Sequence, residues 1–166
     1  MNEGTNSNLF GLTKLYKVTI LVITVVVILK QISTRFSMAV HILSLITTST
    51  NEVTGDFIAG SVNTNPVVIR RIMGMLKKAG LLDVRPGVGG AFLLKAPEDI
   101  TLLDIYHAVH VIEGNRLFGV HQDSNVRCQV GRNIESILQF ELNEAQSAME
   151  QRLAQTTLSK LIARFE

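Results

Sequence analysis

Four basic side chains, Arg70, Arg71, Lys77 and Lys78, follow a short polar turn, Asn63-Thr64-Asn65, and precede a glycine-rich stretch, Gly87-Val88-Gly89-Gly90. Guanidinium groups on an exposed helix face can donate paired hydrogen bonds to guanine or to phosphate. An asparagine can do the equivalent with adenine, and a valine can meet the methyl group of thymine. Asn65, Val67, Arg70 and Arg71 therefore form a set able to read base edges in a major groove. Lys77 and Lys78 lie about two turns further along and are expected to meet phosphate or solvent. The glycine-rich stretch lacks the spacing of a dinucleotide loop, and no Gly-Lys-Ser/Thr closes it as a phosphate loop. Flanked by Arg85, it reads as a hairpin whose backbone, at Gly87 and Gly89, can pass close to a sugar–phosphate chain. A plain helical hairpin with a solvated basic face is the competing reading.

Other chemistry is thinly represented. Cys128 is the single cysteine, which excludes an intrachain disulfide and an all-cysteine metal site and suits a reducing compartment. It stands between Arg127 and Arg132, whose charge would favour thiolate and a redox role. The alternative is an inert, small apolar residue. His41, between Val40 and Ile42, is expected to pack. Glu98, Asp99 and Asp104 look like charges at helix N-termini. No nucleophile–base pair, metal set or cofactor loop points to an enzyme.

The elements that must position these residues follow from periodicity and capping. Thr34 is an N-cap candidate for a helix reaching about Thr48, with Phe36, Val40, Leu43, Leu45 and Ile46 at helical spacing. Thr54 caps a short second helix that places Phe57, Ile58 and Val62 inward. Asn63 suits the left-handed conformation that the following turn requires. Pro66 is favourable at a first helical position. Val68, Ile69, Ile72, Met75 and Leu76 then form a buried stripe, and Gly80 ends the helix. Strands are expected over residues 81–85 and 91–94, joined by a hairpin. Thr101-Leu102-Leu103-Asp104 has capping-box spacing and opens a helix with Leu102, Ile105, Tyr106 and Val109 inward. Residues 114–131 read as a loop. From Asn133, the residues Ile134, Leu138, Leu142, Ala145, Met149 and Leu153 recur at helical spacing. After Thr156-Thr157, a short helix carries Leu158, Leu161, Ile162 and Phe165.

The expected fold is mainly α: a winged helix-turn-helix with a two-stranded wing, followed by a long C-terminal dimerisation helix. So long a stripe on so small a module has little of its own protein to cover, so Ile134, Leu138, Leu142, Ala145, Met149 and Leu153 are expected at a homodimer interface. Charge follows the same division. Residues 34–97 carry seven Lys/Arg against three Asp/Glu, and residues 98–166 carry six against ten. A basic block facing nucleic acid and an acidic one facing away would produce this.

The first part of the chain is a separate matter. Residues 18–29 form a twelve-residue hydrophobic run between Lys17 and Lys30, short of the ~20 residues a spanning helix needs. No small-residue cleavage site follows it. Residues 1–28 are expected to be translated upstream sequence, with the natural start near Leu29, because bacterial genes can start at a leucine codon. A genuine extra helix or strand and a membrane anchor are the alternatives. The remaining divisions are a winged-helix domain at 29–97, a linking helix and effector loop at 98–132, and the dimerisation and C-terminal helices at 133–166.

Four segments in order carry a family resemblance: residues 33–41 (Ser-Thr-Arg-Phe-Ser-Met-Ala-Val-His), 76–82 (Leu-Lys-Lys-Ala-Gly-Leu-Leu), 87–94 (Gly-Val-Gly-Gly-Ala-Phe-Leu-Leu) and 100–109 (Ile-Thr-Leu-Leu-Asp-Ile-Tyr-His-Ala-Val). Residues 32–166 resemble the Rrf2 family of bacterial winged-helix repressors. The resemblance implies a cytoplasmic homodimer that pairs through the helix after the loop and binds a palindromic operator. Phosphate contacts would come from Ser33, Arg35, Thr64 and the wing. Cluster-binding members of the family carry three cysteines in the loop before the long helix. Here only Cys128 stands there, in a position resembling the third, and Gly131 replaces a histidine ligand of one branch. No iron–sulfur cluster and no other cofactor is therefore expected. The family's arginine at the strand-to-wing junction also shifts, with Pro86 in its place and Arg85 one residue earlier. A small molecule, a partner protein or oxidation of Cys128 could supply the signal. The competing function is a winged helix that binds an acidic protein partner through its basic face.

Overall fold

The computed structural model describes residues 34–85, 90–109 and 117–165. Among the described residues, those from Phe36 onward belong to one compact unit. Residues 1–28, Ser33, Gly87 and Gly89 lie outside the described residues. Helix α1 occupies residues 34–48 and includes Thr34, the residue expected to cap it. The following helices are α2 (Gly55–Val62), α3 (Pro66–Lys78), α4 (Leu102–Val109), α5 (Gln129–Ala154) and α6 (Leu158–Ile162). Two short strands, β1 (Leu82–Val84) and β2 (Ala91–Leu93), pair antiparallel with Leu82 opposite Leu93 and Val84 opposite Ala91. A 3-10 turn over Pro97–Asp99 leads into α4. The architecture is the winged helix-turn-helix with a long C-terminal helix that the periodicities imply. No helix among the described residues is long and apolar enough to cross a membrane.

Local chemistry sets the element ends. Thr54 Oγ1 accepts the Phe57 N–H at 3.2 Å and starts α2. Asn63 ends it at φ 54, ψ 53, a left-handed conformation that asparagine tolerates better than most residues. At the end of α3 the Gly80 N–H donates to the Lys77 carbonyl and the Leu81 N–H to the Leu76 carbonyl, both at 3.0 Å. This double closure needs a left-handed residue, and Gly80 supplies it at φ +70. Thr101 and Asp104 cap each other: the Asp104 N–H donates to Thr101 Oγ1 at 3.1 Å, and Asp104 Oδ2 accepts the Thr101 N–H at 2.8 Å.

One core joins these elements. Ile42 and Leu43 of α1, Ile58 of α2, Ile69, Ile72 and Leu76 of α3, Leu82 of β1, Ile105 and Val109 of α4, and Leu158 of α6 are buried together. The expected stripe of α3 is present, with Val68 and Met75 half-buried at its margins. Phe57 departs from expectation: it is 46% exposed. Ile58, Ala59 and Val62 form the inner face of α2, which leaves Phe57, one residue before Ile58, on the outer side.

Helix α5 begins at Gln129 rather than near Asn133, runs for 26 residues, and buries none of them. Its end is strapped to the winged domain. Thr101 and Thr157 form an antiparallel bridge, the Leu102 N–H donates to the Thr156 carbonyl, and the Leu158 N–H donates to the Ile100 carbonyl, both at 2.8 Å.

Candidate nucleic-acid interface

Helix α3 is strongly two-faced. Ile69, Ile72 and Leu76 are buried on one side; on the other, Val67, Arg70, Arg71, Gly74 and Lys78 are exposed. Their spacing of three and four residues puts these five on one arc. The arc extends from the turn, where Asn65 is exposed and Thr64 half-buried. The structure thus brings Thr64, Asn65, Val67, Arg70 and Arg71 together at the N-terminal end of α3, the end that enters a major groove in helix-turn-helix proteins.

Asn65 already has a structural task there, because its Oδ1 accepts the Val67 N–H at 2.8 Å as the cap of α3. Any contact it makes with a base must keep that orientation or uncap the helix. Lys77 also differs from expectation. It forms an ion pair with Asp83 of β1, so Lys78 is left as the basic group at the end of the arc. Lys77 and the Val84 N–H, which donates to Asp83 Oδ1 at 2.7 Å, hold the Asp83 carboxyl below its ordinary range. Helix periodicity could not show this pairing, because it depends on the chain turning back at Gly80.

Gly74 sits mid-helix in open space, with nothing within 4 Å of where a Cβ would lie. Gly74→Ala should therefore stabilise the protein by roughly 0.5–1 kcal/mol, read as a higher melting temperature. Loss of DNA affinity in that more stable variant would report close approach of this part of α3 to the duplex.

In the wing, the Arg85 N–H donates to the Gly90 carbonyl at 3.2 Å. The Arg85 guanidinium lies 5.3 Å from the centre of the Phe92 ring. Such stacking holds the charge at the exposed edge of the hairpin. The hairpin is tied to the loop before α2, since the Ala91 N–H donates to the Val53 carbonyl at 3.0 Å. Arg35 is half-buried in the first turn of α1.

A family model described as Rrf2, iron-dependent transcriptional regulator, matches residues 32–164. The chain belongs to the Rrf2 family. YwnA of Bacillus subtilis, assigned as an HTH-type transcriptional regulator, is 45% identical over 132 residues, which cover 80% of this chain and 97% of YwnA. A crystal structure assigned to a DNA-binding protein superposes with a TM-score of 0.64 at 41% identity, covering 77% of this chain and 98% of the other. CymR (YrzC), the global cysteine regulator of Bacillus subtilis, shares the fold with a TM-score of 0.59 at 19% identity, covering 80% and 96% of the two chains. This Rrf2 protein is a DNA-binding transcriptional regulator, and its relatives are regulators rather than enzymes.

The loop before α5 has its own geometry in this Rrf2 chain. Cys128 is exposed and stands at the N-cap of α5. The N–H dipoles of Gly131 and Val130 in the first turn hold its thiol below the ordinary range, without a full hydrogen bond to the sulfur. The arginines expected to do this are not the cause, and Arg132 Nε donates instead to the Val126 carbonyl at 3.1 Å. Alkylation of Cys128 by iodoacetamide should therefore have its midpoint below the ~8.5 of a free thiol. A midpoint at or above that value would mean that the helix start does not reach the sulfur.

Gly131 is glycine for a steric reason. A Cβ there would overlap the Asn125 carbonyl, which folds over the helix start and accepts the Cys128 N–H at 3.0 Å. His121 is engaged with Ser124, at 2.9 Å. Among the described residues no three of His, Cys, Asp and Glu gather as a metal-binding group. His41, expected to pack, is instead exposed, with Nε2 3.1 Å from Ser61 Oγ.

Proposed function

We propose that this Rrf2 regulator is a cytoplasmic homodimeric repressor that binds a palindromic operator, one α3 to each half-site. The exposed arc of Val67, Arg70, Arg71 and Lys78, directly opposite the buried Ile69, Ile72 and Leu76, carries this reading. In it, Arg70 and Arg71 reach guanine edges, Val67 meets a thymine methyl, and Asn65 reads or orients from the capped end. Thr64, Arg35, Ser33, Lys78 and the wing contact phosphate, which fixes register without reading sequence. Pairing through α5 sets the half-site spacing. Of the stripe expected at that interface, Leu138 and Ala145 are exposed, while Ile134, Leu142, Met149 and Leu153 are half-buried in their own protomer. The exposed Val130, Ile137 and Phe140 beside Leu138 support the pairing, because a helix about 39 Å long with no fully buried residue leaves much apolar surface for a partner.

The protein works without an iron–sulfur cluster in this reading. A cluster usually takes four ligands, whereas the chain has one thiol, and position 131 has no room for a side chain.

The test is fluorescence anisotropy on a duplex from the protein's own upstream region against a scrambled duplex, at two salt concentrations. A preference of ~10³-fold or more that weakens with salt is the expected result. Arg70→Ala should cost ~1–3 kcal/mol and relax base preference at one position of each half-site. Equal, weak binding to both duplexes would sink the operator reading and turn attention to an acidic protein partner of the α3 face.

A further inference from the structure

An open cavity of about 470 Å³ lies between the outer face of α1 and the end of the chain around α6. Val40, Leu45, Leu161 and Phe165 give it apolar walls, His41 and Ser44 contribute polar atoms, and no Lys, Arg, Asp or Glu lines it. That size and character are those of small-molecule sites, which typically span ~300–1,000 Å³ and combine apolar walls with a few polar groups.

Ser44 is the feature that points to a ligand. It is 4% exposed, and its Oγ has no hydrogen-bond partner. Mid-helix serines and threonines ordinarily bond back to the carbonyl four residues earlier, and the next two hydroxyls do so. Thr47 donates to the Leu43 carbonyl at 2.8 Å and Thr48 to the Ser44 carbonyl at 3.0 Å. Ser44 forgoes that bond at the cavity wall. A buried hydroxyl left this way is costly, and turning the Ser44 side chain toward a partner in the cavity would remove the cost.

The same wall is one hydrogen bond from the DNA-reading element. His41 lines the cavity, and its Nε2 is 3.1 Å from Ser61 Oγ. Ser61 is in the last turn of α2, two residues before the left-handed Asn63 that sets the direction of α3. We propose that the cavity is an effector site for a small neutral molecule with an apolar body and one hydroxyl or carbonyl head. The head bonds Ser44 and competes for His41, and occupancy changes how the end of α2 holds α3. The relay rests on the operator reading above; the binding does not.

The probe for binding is 4-fluorophenol, followed by fluorine NMR on the full chain without DNA. Fluorobenzene serves as the analogue without a hydroxyl and 4-fluorobenzoate as the charged one. Saturable binding of the phenol with a Kd of about 1 mM, on the order of tenfold tighter than either analogue, is the expected result. Ser44→Ala should keep the fold and the fluorobenzene affinity but abolish the preference for the phenol. Leu161→Trp, which fills the cavity, should abolish binding of both. No saturable binding, equal preference in Ser44→Ala, or affinity that falls as protein concentration rises (a second copy covering the cavity) would each overturn the site.

The relay is read separately, as operator affinity with and without saturating 4-fluorophenol. The wild type should shift by about threefold or more, and Ser61→Ala should bind the probe equally but show no shift. An operator-binding protein whose affinity ignores the bound probe would overturn the relay. Absence of operator binding altogether would overturn the operator reading and leave the cavity result intact.

Discussion

Ile137→Glu combined with Leu138→Glu is expected to give a folded monomer that no longer holds its operator. In the protomer Ile137 is 57% exposed and Leu138 37%, so neither substitution opens a cavity. Glutamate is also a good helix former. The protomer's melting temperature should therefore change little. In the proposed dimer the same positions would face a second α5, where four carboxylates would meet without partners and oppose association. Sedimentation reads the loss of the dimer directly. Operator affinity should fall by roughly 10²–10⁴-fold, the usual gain from linking two binding modules. A variant that remains dimeric would place the interface elsewhere than the N-terminal half of α5.

Leu76→Ala should have the largest effect on stability. Leu76 is fully buried in the same core as Ile69 and Ile72, on the side of α3 opposite Arg71. Truncating a buried leucine removes apolar burial and leaves a cavity, typically at ~2–5 kcal/mol. That is a large fraction of the ~5–15 kcal/mol that holds a domain together. Circular dichroism should show a melting temperature lower by on the order of 10 °C. Arg71→Ala, one face away, should leave the melting curve in place while weakening DNA binding. A normal melting curve for Leu76→Ala would mean that α3 is not anchored through this residue.

The parts of the molecule that local chemistry decides were readable from the chain alone. Thr54, Asn63, Pro66, Gly80 and the Thr101–Asp104 pair each act within a few residues, and the ends of α2 and α3 and the start of α4 fall where these residues direct. The apolar stripe of α3 was equally legible, because burial on a helix follows its period. Features that depend on distant segments were not. The pairing of Lys77 with Asp83 needs the turn at Gly80 to bring β1 back, and the meeting of His41 with Ser61 needs α2 beside α1. Helix α5 starts four residues early, at Gln129, beside the Asn125 carbonyl that folds over Gly131, a contact no periodicity records. Phe57 was misplaced because an eight-residue helix offers too few apolar positions to fix its inner face. The candidate interface was therefore visible as a set of residues. Which of them are committed to the fold, such as Asn65 to the α3 cap and Lys77 to Asp83, required the structure.

The strap between residues 100–102 and 156–158 has a consequence for how the protein is made. Leu158 shares a core with Ile42 of α1, so the winged domain lacks a buried side chain until α6 has been synthesised. Synthesis proceeds at about 5–20 residues per second, so α1 to α4 wait several seconds for it. During that interval the part of the shared core that Leu158 completes stays open, and chaperone capture or aggregation competes with closure. Hydrogen exchange in the finished protein should accordingly show the amides of α1 and of Leu158 opening together, as one cooperative unit.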